Sequence, residues 1–389
     1  MNKKLGLAVA GALVAFASTA NAGITIPAGD WTVDIGGNVN AYYTNVSTDT
    51  TSAKGVTTSG ADASTIGTGL LPAAFGIGAK TRQNDLDIAF QFSFFTGTSS
   101  GNNAIDGGAA GNNTLNIRQA FLSFGDASWG TVKMGRDLGV FGSDAILSDM
   151  TLLGVGVGGP AGGSSTLGRI GSGYIYADWK GQVQYASPNW NGFQVTTALV
   201  ENFRPANSVS AGTQNTENLG YEAKATYDFA ANDVTGRVWL GGVSQKTEGT
   251  ANYTSNGVDV GAKVAYQGFG LVGYYYDGRG LDGQTVLGGL FNASGVKSKD
   301  SGGYVQATFA VPTIGTKLGA SYGMSNSKDD ANTFNIENES WIVGAYHPLT
   351  KSLNLVAEYT MQEIKNTGSG ASYAKKENDT VSLGAILFF

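Results

Sequence analysis

The chain has one histidine, His347, and no cysteine among its 389 residues. Nucleophilic catalysis of the Ser-His-Asp type therefore has a single imidazole to draw on, and that one precedes Pro348 near a tight turn. Metal sites built from His or Cys are excluded. Gly154-Val155-Gly156-Val157-Gly158-Gly159 has the glycine content of a phosphate loop, but no Lys-Ser/Thr follows and no helix pattern opens after it. Asp277-Gly278-Arg279-Gly280-Leu281-Asp282-Gly283 offers oxygen ligands for a divalent cation, yet a plain Gly-Asp turn explains it as well. Asp329-Asp330 reads as a solvated loop tip. No cofactor and no enzymatic activity are expected. What remains is electrostatics: charged residues are only 14% of the chain, so their placement on particular elements carries the information.

Those elements are strands. In Trp31–Val46, Val33, Ile35, Val39, Ala41 and Tyr43 share one face while Thr32, Asp34, Asn38, Asn40 and Thr44 share the other. Leu86, Ile88, Phe90, Phe92 and Phe94 likewise oppose Asp85, Asp87, Ala89, Gln91 and Ser93. The final segment places Val381, Leu383, Ala385, Leu387 and Phe389 together. Period-2 alternation of this kind predicts strands with two unlike faces. It places sixteen of them near 31–46, 70–81, 85–96, 114–125, 130–137, 173–187, 192–202, 218–229, 234–246, 257–267, 270–278, 303–312, 315–326, 339–349, 352–365 and 378–389.

The connections alternate in length. Short turns fall near Arg82–Asn84, Asp126–Trp129, Pro188–Asn191, Ala230–Asp233, Gly268–Phe269, Thr313–Ile314 and Thr350–Lys351. Long connections, rich in Gly, Ser, Asn, Asp and Thr, fall near 47–69, 97–113, 138–172, 203–217, 247–256, 279–302, 327–338 and 366–377. Short turns on one rim and long loops on the other describe an outer-membrane barrel. A bilayer leaves no water for unpaired backbone groups, so a spanning sheet must close on itself. Aromatic residues near both strand ends, such as Trp129, Trp190 and Phe269 on one side and Tyr43, Phe94 and Tyr274-Tyr275-Tyr276 on the other, read as two interfacial girdles. Glycine, at 59 residues, is about twice its usual share.

The N-terminus suggests export. Lys3 and Lys4, the apolar stretch Leu5–Phe16 and Ala20-Asn21-Ala22 read as a secretory signal peptide over residues 1–22. Its removal leaves 367 residues and takes the net charge from −6 to −8. An acidic balance makes nucleic acid an improbable partner. Residues 23–389 then form one barrel domain.

The stretch Phe121-Leu122-Ser123-Phe124, followed by Trp129-Gly130-Thr131-Val132-Lys133-Met134-Gly135-Arg136-Asp137, leads into the longest connection. With the closing Ile386-Leu387-Phe388-Phe389, it resembles the Gram-negative general porins. The resemblance implies an all-β, transmembrane antiparallel β-barrel of sixteen strands whose long third loop folds into the lumen. It also implies a homotrimer in the outer membrane, among lipids and lipopolysaccharide, inserted by the barrel-assembly machinery through a signal at Phe389. The function implied is passive diffusion of ions and small hydrophilic solutes. A channel selective for one class, a sugar or an organic acid, is the alternative.

In that family, basic side chains on the wall face carboxylates on the third loop and set a transverse field that orients polar solutes. Here the constriction loop is placed at 137–172, with Asp137, Asp144 and Asp149 as its carboxylates. Ile146, Leu147, Met150, Leu152 and Leu153 are too apolar for a loop in water, and Asp144 to Leu153 reads as a short helical turn. The wall candidates are Lys80, Arg82, Arg118, Arg136 and Arg169. Arg118 is the clearest, because a mid-strand charge on the lipid face costs about 2–4 kcal/mol. Lys133 and Arg136 are three apart, so strict alternation places them on opposite faces, and either a bulge intervenes or one lies beyond the bilayer edge; the family pattern favours Arg136 as the inward one, and Lys133 is discounted. The sign of any ion preference stays open.

Overall fold

A computed structural model describes residues 23–98, 115–158, 165–202, 218–247, 253–281 and 297–389. The expected signal peptide, the Gly159–Gly163 stretch and the middles of four long connections lie outside these residues.

The described residues form nineteen strands: β1 (Ile24–Ala28), β2 (Trp31–Ser52), β3 (Thr57–Ser59), β4 (Ala63–Gly67), β5 (Ala73–Gln83), β6 (Leu86–Thr96), β7 (Asn116–Asp126), β8 (Gly130–Leu138), β9 (Trp179–Ala186), β10 (Phe193–Val200), β11 (Gly220–Ala231), β12 (Val234–Thr247), β13 (Tyr253–Tyr266), β14 (Phe269–Arg279), β15 (Ser298–Ala310), β16 (Lys317–Asp329), β17 (Asn335–Pro348), β18 (Leu353–Asn366) and β19 (Tyr373–Phe388). Sixteen of them, β2 and β5 to β19, form a ring of antiparallel neighbours. The ring closes where β19 pairs with β2 from Phe388↔Asn38 to Tyr373↔Ser52. Closure leaves no unpaired sheet edge, the condition for a β structure to span a bilayer.

All sixteen expected strands are present, with local differences; β3 and β4 fall within 47–69, which the sequence reading gives as a long connection. β1 was not anticipated; it pairs with Trp31–Ile35 on the edge of β2 that β19 occupies further along. β4 and β5 lie in line on the other edge of β2. The break between them, Thr68 to Pro72, turns inward: Asn40 accepts a hydrogen bond from Gly69 N at 3.1 Å and donates to Leu71 O at 2.8 Å. β9 begins at Trp179, later than periodicity suggested, because the chain before it belongs to the long third loop.

The hairpin turns explain small offsets at the short-turn rim. Asn84 and Asp85 (φ 49° and 64°) and Gln267 and Gly268 (φ 45° and 86°) are consecutive left-handed pairs. This is the two-residue geometry whose twist matches that of the flanking strands. Alternation sorts the side chains onto two surfaces. Val39, Phe92, Leu122, Met134, Leu240, Val260, Val305, Val343 and Leu383 are exposed on the outer face. Asn38, Asn40, Gln91, Ser93, Gln119, Gln184, Thr226, Gln306 and Ser340 are buried on the inner one. A soluble protein would invert that arrangement; a barrel in hydrocarbon requires it.

Candidate functional site

The described residues of the third long loop, 139–158 and 165–178 between β8 and β9, lie against the inner wall. It holds a one-turn helix, Ser143–Ile146, and a short 3-10 turn, Met150–Leu153. The single turn expected over Asp144 to Leu153 is thus two turns. Gly142 (φ 74°) opens the first, and Asp149 caps the second by accepting Thr151 N at 2.9 Å. Ala145, Ile146, Leu152, Val157, Ile170 and Tyr174 join Trp239, Tyr274, Tyr276 and Tyr304 of the wall in one buried apolar cluster. Burying a large apolar side chain contributes about 1.5–3 kcal/mol, so this cluster draws the loop inward.

Polar side chains of the strands fasten the loop along its length. Glu222 accepts Val140 N and Phe141 N at 2.6 and 3.0 Å, and also pairs with Lys180 at 2.7 Å. Asp259 accepts Gly142 N at 3.2 Å. Tyr304 donates to Ala145 O at 2.8 Å, and Gln306 accepts Met150 N at 2.7 Å. Glu358 accepts Val155 N and Gly156 N at 2.8 and 2.7 Å, and takes a third bond from Tyr346. Gly156 has φ 63°, and a Cβ there would stand 2.5 Å from Gly168 Cα, so only glycine lets the loop fold back on itself. The fasteners come from β11, β13, β15 and β18, so the loop spans much of the ring.

One cluster of charge stands on this frame. Asp144 receives Lys224 Nζ at 2.6 Å and Arg237 Nη1 at 3.0 Å, and Arg237 also holds Asp228 at 2.6 Å. Burial pushes the Asp144 carboxyl up, but attraction and hydrogen bonding from Lys224 and Arg237 outweigh it and hold the group down at about 2. Lys263 is the direct register partner of Arg237 and makes no ion pair among the described residues. Lys317 lies 5.0 Å from the centre of the Tyr346 ring and also has no ion pair there. Among the described residues Lys263 thus stands without an ion pair beside the matched Asp144 and Asp228, and Lys317 stands apart from them against Tyr346.

The residues picked from the sequence scatter around this cluster. Asp144 lies at its centre. Asp137 faces inward at the loop root, accepting Gln119 at 2.8 Å and pairing with Lys133. Asp149 is buried, capping its turn and accepting the Tyr174 hydroxyl at 2.8 Å. Arg169 has no exposed surface. Its guanidinium ties the loop to Ser321 and Ser340 at 2.6 and 3.0 Å, so it braces the loop and faces no channel water. Arg118 sits at a bulge and turns inward, 4.8 Å from the Phe95 ring centre, beside Trp179. Lys80 and Arg82 sit at the short-turn rim, paired with Asp34 and with Asp87 and Asp126 at 2.9 to 3.0 Å.

The expectation for Lys133 and Arg136 is reversed. Arg136 pairs with Ala120 on the face that carries Leu122 and Met134, and it is exposed there. Lys133 shares the inner face with Asp137 and is buried. Alternation runs unbroken through β8, so the lysine two places from Gly135 keeps the inner face and the arginine beside it cannot.

Lys180, Glu222, Lys224, Arg237, Asp259, Lys263 and Glu358 were not anticipated. The signal was present: each is an ionisable residue within an alternating strand, and the argument applied to Arg118 selects them too.

Among curated proteins, none matches this sequence. Solved structures share the architecture. The anion-selective porin from Comamonas acidovorans has 16% identity, covers 92% of this chain and 100% of its own, and superposes with a TM-score of 0.62. OmpT of Vibrio cholerae in its trimer form has 15% identity, 92% and 99% coverage and a TM-score of 0.57. OmpF of Salmonella typhi, in complex with daunomycin, has 14% identity, 94% and 100% coverage and a TM-score of 0.58. The family model for Gram-negative porins matches residues 8–367. A closed ring of sixteen strands, apolar outside and polar within, together with that match, means that the chain belongs to the Gram-negative porin family and crosses the outer membrane many times.

Proposed function

We propose that this porin is a water-filled channel for passive diffusion of ions and small hydrophilic solutes, narrowed by the loop at 139–178. The observation that carries the reading is the Asp144 cluster: a loop carboxylate held against Lys224 and Arg237 on the wall, with Lys263 beside them. Charges closed into contact pairs cancel much of each other's field, so the field along the pore wall comes mainly from cations outside such pairs, Lys263 among them, and such a field sorts polar solutes. Asp137, Lys133 and Arg118 continue that charged wall toward the loop root. The reading assigns the chain no catalysis and no cofactor. Residues 1–22 serve export, residues 23–389 form the barrel domain, and Phe389 serves recognition by the barrel-assembly machinery. The trimer form named for the Vibrio cholerae protein supports a homotrimer, with lipids and lipopolysaccharide around it.

Planar-bilayer recording tests this. Purified protein should insert with large, stable, ohmic steps; closed or unstable insertions across many preparations would remove the reading. A narrower one, a channel favouring anionic solutes such as organic acids, draws on the unmatched Lys263 and Lys317 and on the likeness to an anion-selective porin. Saturable block of chloride current by a small dicarboxylate would favour it, and block that rises linearly without saturation would not.

A further inference from the structure

On the inner face of β2, β19, β18 and β17, four neutral side chains form one continuous chain of hydrogen bonds. Thr48 Oγ1 donates to Asn378 Oδ1 at 2.8 Å. Asn378 Nδ2 donates to Gln362 Oε1 at 3.0 Å, and Gln362 Nε2 donates to Asn338 Oδ1 at 2.9 Å. Asn338 Nδ2 ends the chain on Gly171 O of the loop at 2.6 Å. Thr48, Asn378 and Gln362 are direct register partners. Asn338 stands one inner position nearer the long-loop rim than Ser340, the β17 partner of Gln362. Neighbouring strands are about 4.8 Å apart, so the row runs about 14 Å around the wall. Every donor points the same way, toward the loop, and bonds linked in one direction polarise one another.

Only the last of these bonds holds the loop; the others carry the row away from it across three strands. The row lies on the long-loop side of the point where Thr360 donates to Gly156 O at 3.0 Å. A solute entering from that side therefore passes the row before the narrowed part of the lumen. Asn338 is buried, while Gln362 and Asn378 are only half-buried. A side-chain amide has two N–H donors and two acceptor positions on its oxygen. Gln362 and Asn378 each use one donor and one acceptor within the chain, so each can offer one more of both kinds to a solute. No member of the row is ionisable. The first charge toward the rim on β19 is Lys376, whose ammonium lies 4.5 Å from the Tyr373 ring centre. A hydroxyl both donates and accepts, whereas a carboxylate only accepts and an ammonium only donates. A row that offers both kinds without charge is matched to hydroxyls.

We propose that this amide row is a subsite for a neutral linear oligosaccharide of two or three sugar units, held in transit above the loop. The inference rests on the pore reading, because only a solute in the lumen reaches this wall. It assigns uncharged solutes to β2 and β17–β19, and leaves charged ones to the wall around Asp144. The row is longer than one sugar ring, which sets the size of the solute.

Single-channel recording of the full-length protein tests this with two probes. One is cellotriose; the other is a linear polyether of matched length, whose ether oxygens only accept. Cellotriose should block the current saturably, and the polyether should lower it only in proportion to its concentration. The double variant Gln362→Met/Asn378→Leu should need about 25-fold more cellotriose for half block, at roughly fivefold per lost hydrogen bond. Both substitutions leave Asn338 and its bond to the loop in place, so a row that merely braces the loop would show no change. Lys365→Gln, on the outer face of the strand that carries Gln362, should be blocked as wild type is. If the double variant fails to show the heat-modifiable gel mobility of a folded barrel, Gln362→Met alone decides, with an expected loss of about fivefold. Each block is scaled to the variant's own open current. Saturation by the polyether, an unchanged half-block concentration in the amide variants, or absence of saturation by cellotriose would each overturn the subsite. A protein that conducts no ions fails the pore reading and the subsite with it, whereas one that conducts without saturable cellotriose block fails the subsite alone.

Discussion

Ion pairs occur in two places on the inner surface, and they differ in kind. At the short-turn rim, Arg82 reaches Asp87 and Asp126 while 48% of its side chain stays in water. Beneath the loop, Lys180 and Glu222 meet with 3% and 0% exposed, and Asp144 is almost as enclosed. The chemistry of the partners is the same; the solvent is not. Exposed pairs contribute about 0–1 kcal/mol at best. Enclosed ones gain little net over apolar packing, but removing one partner strands the other and costs several kcal/mol. The rim pairs are therefore dispensable to the fold, while the enclosed ones help hold the loop against the wall.

The largest effect is expected from Glu358→Ala. It leaves Val155 N, Gly156 N and the Tyr346 hydroxyl without their acceptor. Loss of a buried, hydrogen-bonded carboxylate should destabilise by about 3–5 kcal/mol and free the far half of the loop. Thermal unfolding of the barrel and single-channel recording check this together: the midpoint should fall and conductance should rise. Unaltered conductance would mean that the apolar cluster alone holds the loop.

Asp144→Asn comes next. It removes the counter-charge of Lys224 and half that of Arg237, which keeps Asp228. Reversal potential in a salt gradient should move toward anions. The same carboxylate sets a pH window. Its folded value, about 2, lies below the ordinary carboxylate range, so its contribution is complete above about pH 4 and is lost as pH falls through about 2. Wild-type current should stay steady down to about pH 3 and become noisy below it. A change centred near pH 6 would point to a different group.

A smaller effect is expected at Lys263, which makes no ion pair among the described residues that could be stranded. Lys263→Gln should shift reversal potential toward cations and leave the unfolding midpoint within error. The smallest belongs to the rim: Arg82→Gln should change neither quantity measurably. A clear loss of stability there would break the contrast between the two regions.

Strand positions follow from period-2 alternation, because a sheet with hydrocarbon outside and water inside enforces two different faces on every strand. The third loop's inward course was legible from Ile146, Met150 and Leu152, which are buried. The partners of Asp144 were not singled out. Lys224 and Arg237 are 80 and 93 positions away, and nothing local to either marks which loop residue it meets. Lys133 and Arg136 follow simple alternation and depart from the family pattern. Arg169 shows the remaining difficulty: a charge can be spent on hydroxyls within the frame, and sequence alone does not distinguish that from a charge facing water.

The course of the loop has a mechanical consequence. A thin-walled cylinder under lateral pressure fails by flattening, and a bilayer presses on its inclusions from all sides. A segment fastened to β11, β13, β15 and β18 works as an internal strut, and it resists ovalisation of the ring.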